Sequence, residues 1–119
     1  MRPHLDLRVW QEALELVTRV YSVTNTFPAD ERFGLTSQVR RASVSVPSNI
    51  AEGAARGSRK EFIHFLTIAR GSLSELDTQL RIARNLEFLA DIDSLITDVE
   101  RLQAAMGSLI KSQRDRLAE

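Results

Sequence analysis

The 119-residue chain has no cysteine, one tryptophan, one tyrosine and two histidines, and each scarcity removes a class of function. Without cysteine there are no disulfides, thiolate metal sites or cysteine nucleophiles. His4 and His64 are the only histidines, and no Ser-His-acid set is legible around them. The glycines of EGAARGSRKE lack the G-x-x-x-x-G-K-[ST] spacing of a phosphate-binding loop. No apolar run approaches the roughly 20 residues of a membrane span. The opening MRPHLDLRVW carries charges on both sides of its few apolar residues and has no signal-peptide core. The expectation is a cytoplasmic protein with no membrane contact, no cofactor, no metal and no small-molecule substrate. Net charge is also absent, since 16 Lys and Arg balance 16 Asp and Glu. Attraction for nucleic acid must therefore come from where the charges lie.

What is present is helical periodicity throughout. Val9, Trp10, Ala13, Leu14, Leu16, Val17, Val20 and Tyr21 recur at spacings of three and four. Pro28, Asp30 and Glu31 read as a helix start, because proline suits a first turn and early acids suit the positive end of the dipole. Ser58-Arg59-Lys60-Glu61 fits the S-x-x-E capping box. Phe62, Leu66, Ala69, Leu73, Leu76, Leu80 and Ala83 form one stripe, and Asp91 caps a fourth segment carrying Ile92, Leu95, Val99, Leu102, Met106 and Leu109. The reading is all-α: helices at about 7–24, 30–55, 59–87 and 91–114 in a single domain spanning 1–119. Short connections make it an antiparallel up-down-up-down four-helix bundle. Apolar residues beside the main stripes, Val9, Leu16 and Val23 in the first helix and Phe65, Ile68, Ile82 and Leu86 in the third, point to a wide core or to contact with another subunit. Trp10 and Tyr21 are expected in the core or such an interface.

The segment Gln38–Phe62, QVRRASVSVPSNIAEGAARGSRKEF, is the least ordinary. Pro47 falls within helical spacing, which predicts a proline-kinked second helix with the carbonyl of Ser43 deprived of its donor. Arg41, Ser45, Asn49, Glu52 and Arg56 share one face of that helix. Two readings stay open for this stripe. It is a solvated face with a Glu52-Arg56 pair, or a polar network at an oligomer interface in which Asn49 and Glu52 bond the freed backbone or Arg70.

Up-down-up-down topology gathers the N-terminus, the second turn and the C-terminus at one end. That end holds Arg2, Arg8, Arg56, Arg59, Lys60, Lys111, Arg114 and Arg116 against Asp6, Glu52, Glu61, Asp115 and Glu119, so eight cations against five carboxylates give +3. The far end holds Arg32 and Arg84 against Asp30, Glu31, Glu87, Asp91 and Asp93, giving −3. Basic helix C-termini are what the macrodipole favours in any case, which accounts for Lys111, Arg114 and Arg116. Arg59 and Lys60 sit instead at a helix N-terminus, where cations are disfavoured and outward backbone donors suit a phosphate. Arg56, Arg59, Lys60, Lys111 and Arg114 are the candidate nucleic-acid contacts. Glu61-x-x-His64 resembles one half of a di-iron motif, but a second copy is missing and Glu61 is needed by the cap.

The blocks LRVWQEALELV, FPADERFGLTSQVRRASVSVPSNIAEG and SRKEFIHFLTIARGSLSELDTQL, in this order, resemble the four-helix bundle proteins encoded in intervening sequences of bacterial 23S rRNA genes. The resemblance implies a ring-like homopentamer with no established enzymatic activity. A related bundle, the accessory variability protein of diversity-generating retroelements, binds a reverse transcriptase and nucleic acid through a basic ring surface. By analogy the expected partner is RNA or a nucleoprotein. The alternative is a protein-interaction scaffold for a nucleoprotein partner, with no direct nucleic-acid contact.

Overall fold

A computed structural model describes residues 4, 7–88 and 91–119. It contains four helices, α1 (Arg8–Thr24), α2 (Leu35–Ala55), α3 (Arg59–Asn85) and α4 (Ile92–Ala118), with a 3-10 turn at Ala29–Glu31 and no strand among the described residues. Each helix packs on its neighbours in chain order, and α1 closes against α4. The result is a rod with principal extents of 50 × 23 × 19 Å.

Cross-helix bonds fix the antiparallel arrangement. Late in α1, Arg19 pairs with Asp98 and donates to Ser94 Oγ, both early in α4. At one end Arg59 of α3 reaches Gln113 of α4, and at the other Arg84 pairs with Asp93. The core between the helices is aliphatic, with Val20, Val46, Ile50, Leu66, Leu73, Leu80, Leu95, Val99 and Met106 fully buried. At the Arg84 end Phe27 and Phe88 close it edge to face, with centroids 5.1 Å apart.

Three local features depart from the sequence pattern. The second helix begins at Leu35 rather than Asp30. Pro28 and the acids after it form the 3-10 turn, and the Glu31 carboxylate then accepts the N–H of Leu35 at 3.3 Å, so an acid read as part of the helix instead caps it from outside. In α1 the buried stripe is Val9, Ala13, Leu16, Val20 and Thr24, so Val9 and Leu16 are core. The flank that faces outward holds Leu14 and Tyr21, 41% and 42% exposed. At α4, Asp91 occupies the N-cap position but its side chain makes no capping bond.

α2 passes through Pro47, which is buried. Its missing N–H leaves the Ser43 carbonyl without the usual donor four residues on. Nearby hydroxyls turn back onto the helix: Ser43 Oγ donates to the Arg40 carbonyl at 2.8 Å, and Ser48 Oγ to that of Val44 at 2.9 Å. Further along, α2 and α3 approach closely at Gly53. A Cβ there would lie 2.7 Å from Cβ of Phe65 and 3.3 Å from the carbonyl oxygen of Phe62. The turn that follows uses Gly57 at φ 81°, left-handed backbone that suits glycine.

Candidate nucleic-acid interface

The basic end is assembled where α2 stops, α3 starts and α4 finishes. Ser58 leaves the turn in extended conformation and its Oγ accepts the N–H of Glu61 at 3.1 Å. Only this half of the capping box forms, because no bond joins the Glu61 carboxylate to the Ser58 N–H. Arg59 in the first turn of α3 donates from Nη1 to Gln113 Oε1 at 2.5 Å, which brings α4's last turns to the same end. Between them lies a cleft of ≈300 Å³ bordered by Gly57, Ser58, Arg59, Phe62 and Gln113.

The five candidate cations are not equivalent there. Arg56 donates to Glu52 Oε1 at 2.6 Å, and its guanidinium lies 5.0 Å from the Phe65 ring centroid. Lys111 pairs with Asp115 at 3.0 Å. Both charges are thus largely offset one turn away on their own helices. Arg59 keeps its full charge because its partner is a neutral amide. Lys60 and Arg114, with Arg116 beyond them, are exposed and take no side-chain partner among the described residues. Arg2 and Asp6, counted at this end from the sequence, lie outside the described residues.

The polar stripe of α2 divides in two. Ser45 Oγ lies 2.8 Å from Ser72 Oγ of α3, and Asn49 Nδ2 donates to the Ser45 carbonyl at 2.8 Å and to Ser45 Oγ at 3.0 Å. Asn49 therefore serves Ser45 and not the carbonyl freed at Ser43. Glu52 turns to Arg56 rather than Arg70, which is half-buried without a side-chain partner among the described residues. Arg41 stands exposed at a groove of ≈410 Å³ shared with Ser45, Ser72 and Glu75. Behind it Gln79, 6% exposed, donates to Glu75 Oε1 at 3.1 Å while its own Oε1 is buried without a partner.

Three pairings were not read from the sequence: Gln113 with Arg59, Ser72 with Ser45, and Phe65 with Arg56, Phe65 having been read only as a flank of the third helix. Each acts through the pairing of two helices, and only the cross-helix register would have revealed it. Among the described residues no group of three His, Cys, Asp or Glu is arranged to hold a metal. His64 packs edge-on to Phe65 at 5.3 Å. Among the described residues no helix is long and apolar enough to cross a membrane.

Comparison with known proteins agrees with the four-helix fold. A family model described as 23S rRNA-intervening sequence protein matches residues 5–108. Among solved structures, the chain is similar to a protein of unknown function from the S23 ribosomal protein family of Bacteroides thetaiotaomicron. Identity is 25% and the TM-score 0.77, over 87% of this chain and 98% of that one. No curated protein matches the chain.

Proposed function

Because the chain belongs to the family of 23S rRNA-intervening sequence proteins, we propose that it acts as a ring-like homo-oligomer, pentameric and without catalytic activity, that binds RNA phosphates in the cytoplasm. The observation that carries this reading is the set of cations Arg59, Lys60 and Arg114, gathered at one end with no carboxylate partner. A single copy offers too few charges to hold RNA firmly at physiological salt. A ring holding several such ends side by side multiplies the field and releases more counterions on binding. Within this reading α2 bends at Pro47, and Arg56 and Lys111 act as supporting charges.

The test is RNA affinity as a function of salt for the protein and for its Arg59→Glu, Lys60→Glu double variant. The double variant is expected to bind more weakly and with a shallower salt dependence. Unchanged affinity and slope would remove the basic end from the account. The pairing of Arg56 and Lys111 with their own carboxylates favours one second reading, a scaffold that docks a nucleoprotein partner through protein contacts alone. Recovery of a stoichiometric protein partner from nuclease-treated lysate, undiminished by the double variant, would support the scaffold over RNA binding.

A further inference from the structure

Two apolar faces of the bundle are exposed and take no part in the basic end. The first is a groove of ≈330 Å³ between α1 and α2, walled by Trp10, Leu14, Val17, Val44 and Pro47, with no carboxylate lining it among the described residues. Leu14 and Val44 are each 41% exposed. One turn before Val44 on α2, outside the groove lining, half-buried Arg40 donates to Thr24 Oγ1 and Asn25 Oδ1, and its guanidinium lies 4.5 Å from the Tyr21 ring centroid; it has no carboxylate partner among the described residues. The second face is the outer side of α3, where Ile68 and Ile82 are exposed on either side of Gly71 and Glu75. Gly71 has no explanation within the chain. It is exposed in mid-helix, its backbone is right-handed, and a Cβ there would meet nothing within 4 Å. An exposed glycine between two exposed isoleucines leaves the α3 backbone open to close approach by a neighbour from elsewhere.

We infer that these faces meet between two copies of the chain, with the outer face of α3 of one copy lying along the α1–α2 groove of the next, antiparallel to its α2. This rests on the oligomeric reading above and adds which surfaces join. Charge and spacing fix the register. The carboxylate in the middle of one face, Glu75, is set opposite the cation beside the other, Arg40. With the same rise per residue in both helices, Gly71 then falls opposite Val44, and Ile68 opposite Pro47 and Leu14. Ile82 reaches Phe33, which precedes α2 and is 88% exposed. One choice of register thus covers five exposed apolar side chains, Leu14, Phe33, Val44, Ile68 and Ile82, and gives Gly71 its neighbour. Running α3 the other way also pairs the isoleucines, but it sets Val44 against Thr78 and Gln79 and leaves Gly71 unexplained. The two faces differ, so the contact is heterologous and can propagate around a ring.

The test uses two variants, Gly71→Glu on the α3 face and Val44→Glu in the groove, each exposed enough to leave the bundle folded, as circular dichroism would verify. Mass in solution is measured for the wild type, each variant and their mixture. Each variant alone is expected to fall from the wild-type particle to a single chain. Mixed at high concentration, they retain one intact junction between them, the groove of the Gly71→Glu chain with the α3 face of the Val44→Glu chain, and form a particle of two chains and no larger. A variant that keeps the wild-type mass, or a mixture that stays monomeric, overturns this assignment of faces while the oligomer stands. A wild type that is itself monomeric overturns the oligomeric reading before any variant is made.

Discussion

Replacing Gly53 by alanine tests the α2–α3 contact that sets the geometry of the basic end. The added Cβ would sit 2.7 Å from Cβ of Phe65 and 3.3 Å from the backbone oxygen of Phe62. Neither is the end of a flexible side chain, so the helices must separate. Forcing a methyl into a packed contact of this kind costs about 1–3 kcal/mol. Alanine returns roughly 1 kcal/mol of helix propensity, which leaves a net loss of up to about 2 kcal/mol. For a chain of this size that is a fall of up to roughly 8 °C in Tm. Gly107→Ala is the control, since its Cβ would meet nothing within 4 Å, and it should stabilise by about 0.5–1 kcal/mol through propensity alone. Urea unfolding followed by circular dichroism at one protein concentration reads both. A Gly53→Ala protein stabilised as much as the Gly107→Ala control would refute the claim that glycine is there to admit α3.

Leu73→Ala removes a side chain that is fully buried and should cost about 2–5 kcal/mol in the same assay. Ser45→Ala and Ser72→Ala should show a coupling of about 1 kcal/mol in a double-mutant cycle, because the two hydroxyls bond each other across α2 and α3; additive losses would break that link. Arg19→Ala removes the ion pair to Asp98 and the bond to Ser94 that join α1 to α4. As both charged partners are partly exposed, the loss should be only about 1 kcal/mol and should shrink in high salt. Substituting Lys60 and Arg114 together by Glu should leave stability within about 0.5 kcal/mol, since neither touches the fold, yet weaken RNA binding.

Most of the fold was legible because long stripes of Leu, Ile, Val and Ala at three- and four-residue spacing have one economical solution. The start of α3 was legible for a different reason, since serine at an N-cap is a local chemical signal that needs no partner helix. Local signals failed where tertiary contacts competed. Pro28 and its acids form a separate turn, and the choice of buried stripe in α1 depends on α2 and α4 both packing against it. At the basic end the identity of the cations could be read, but not which of them remain unneutralised. Glu52 pairing with Arg56 follows from spacing on one helix. Arg59 reaching Gln113 requires the register of α3 against α4, which no local pattern carries.

The account turns on a basic end repeated around a ring, and binding of a structured RNA at low and near-physiological salt, with the mass of the same sample read by light scattering, tests it most directly. The predicted result is a particle several times the monomer mass whose affinity falls steeply with salt, with a slope larger than the four cations at this end of one copy that have no carboxylate partner among the described residues, Arg59, Lys60, Arg114 and Arg116, would give at roughly one unit each. A monomer, or an oligomer that binds no RNA even at low salt, would contradict it.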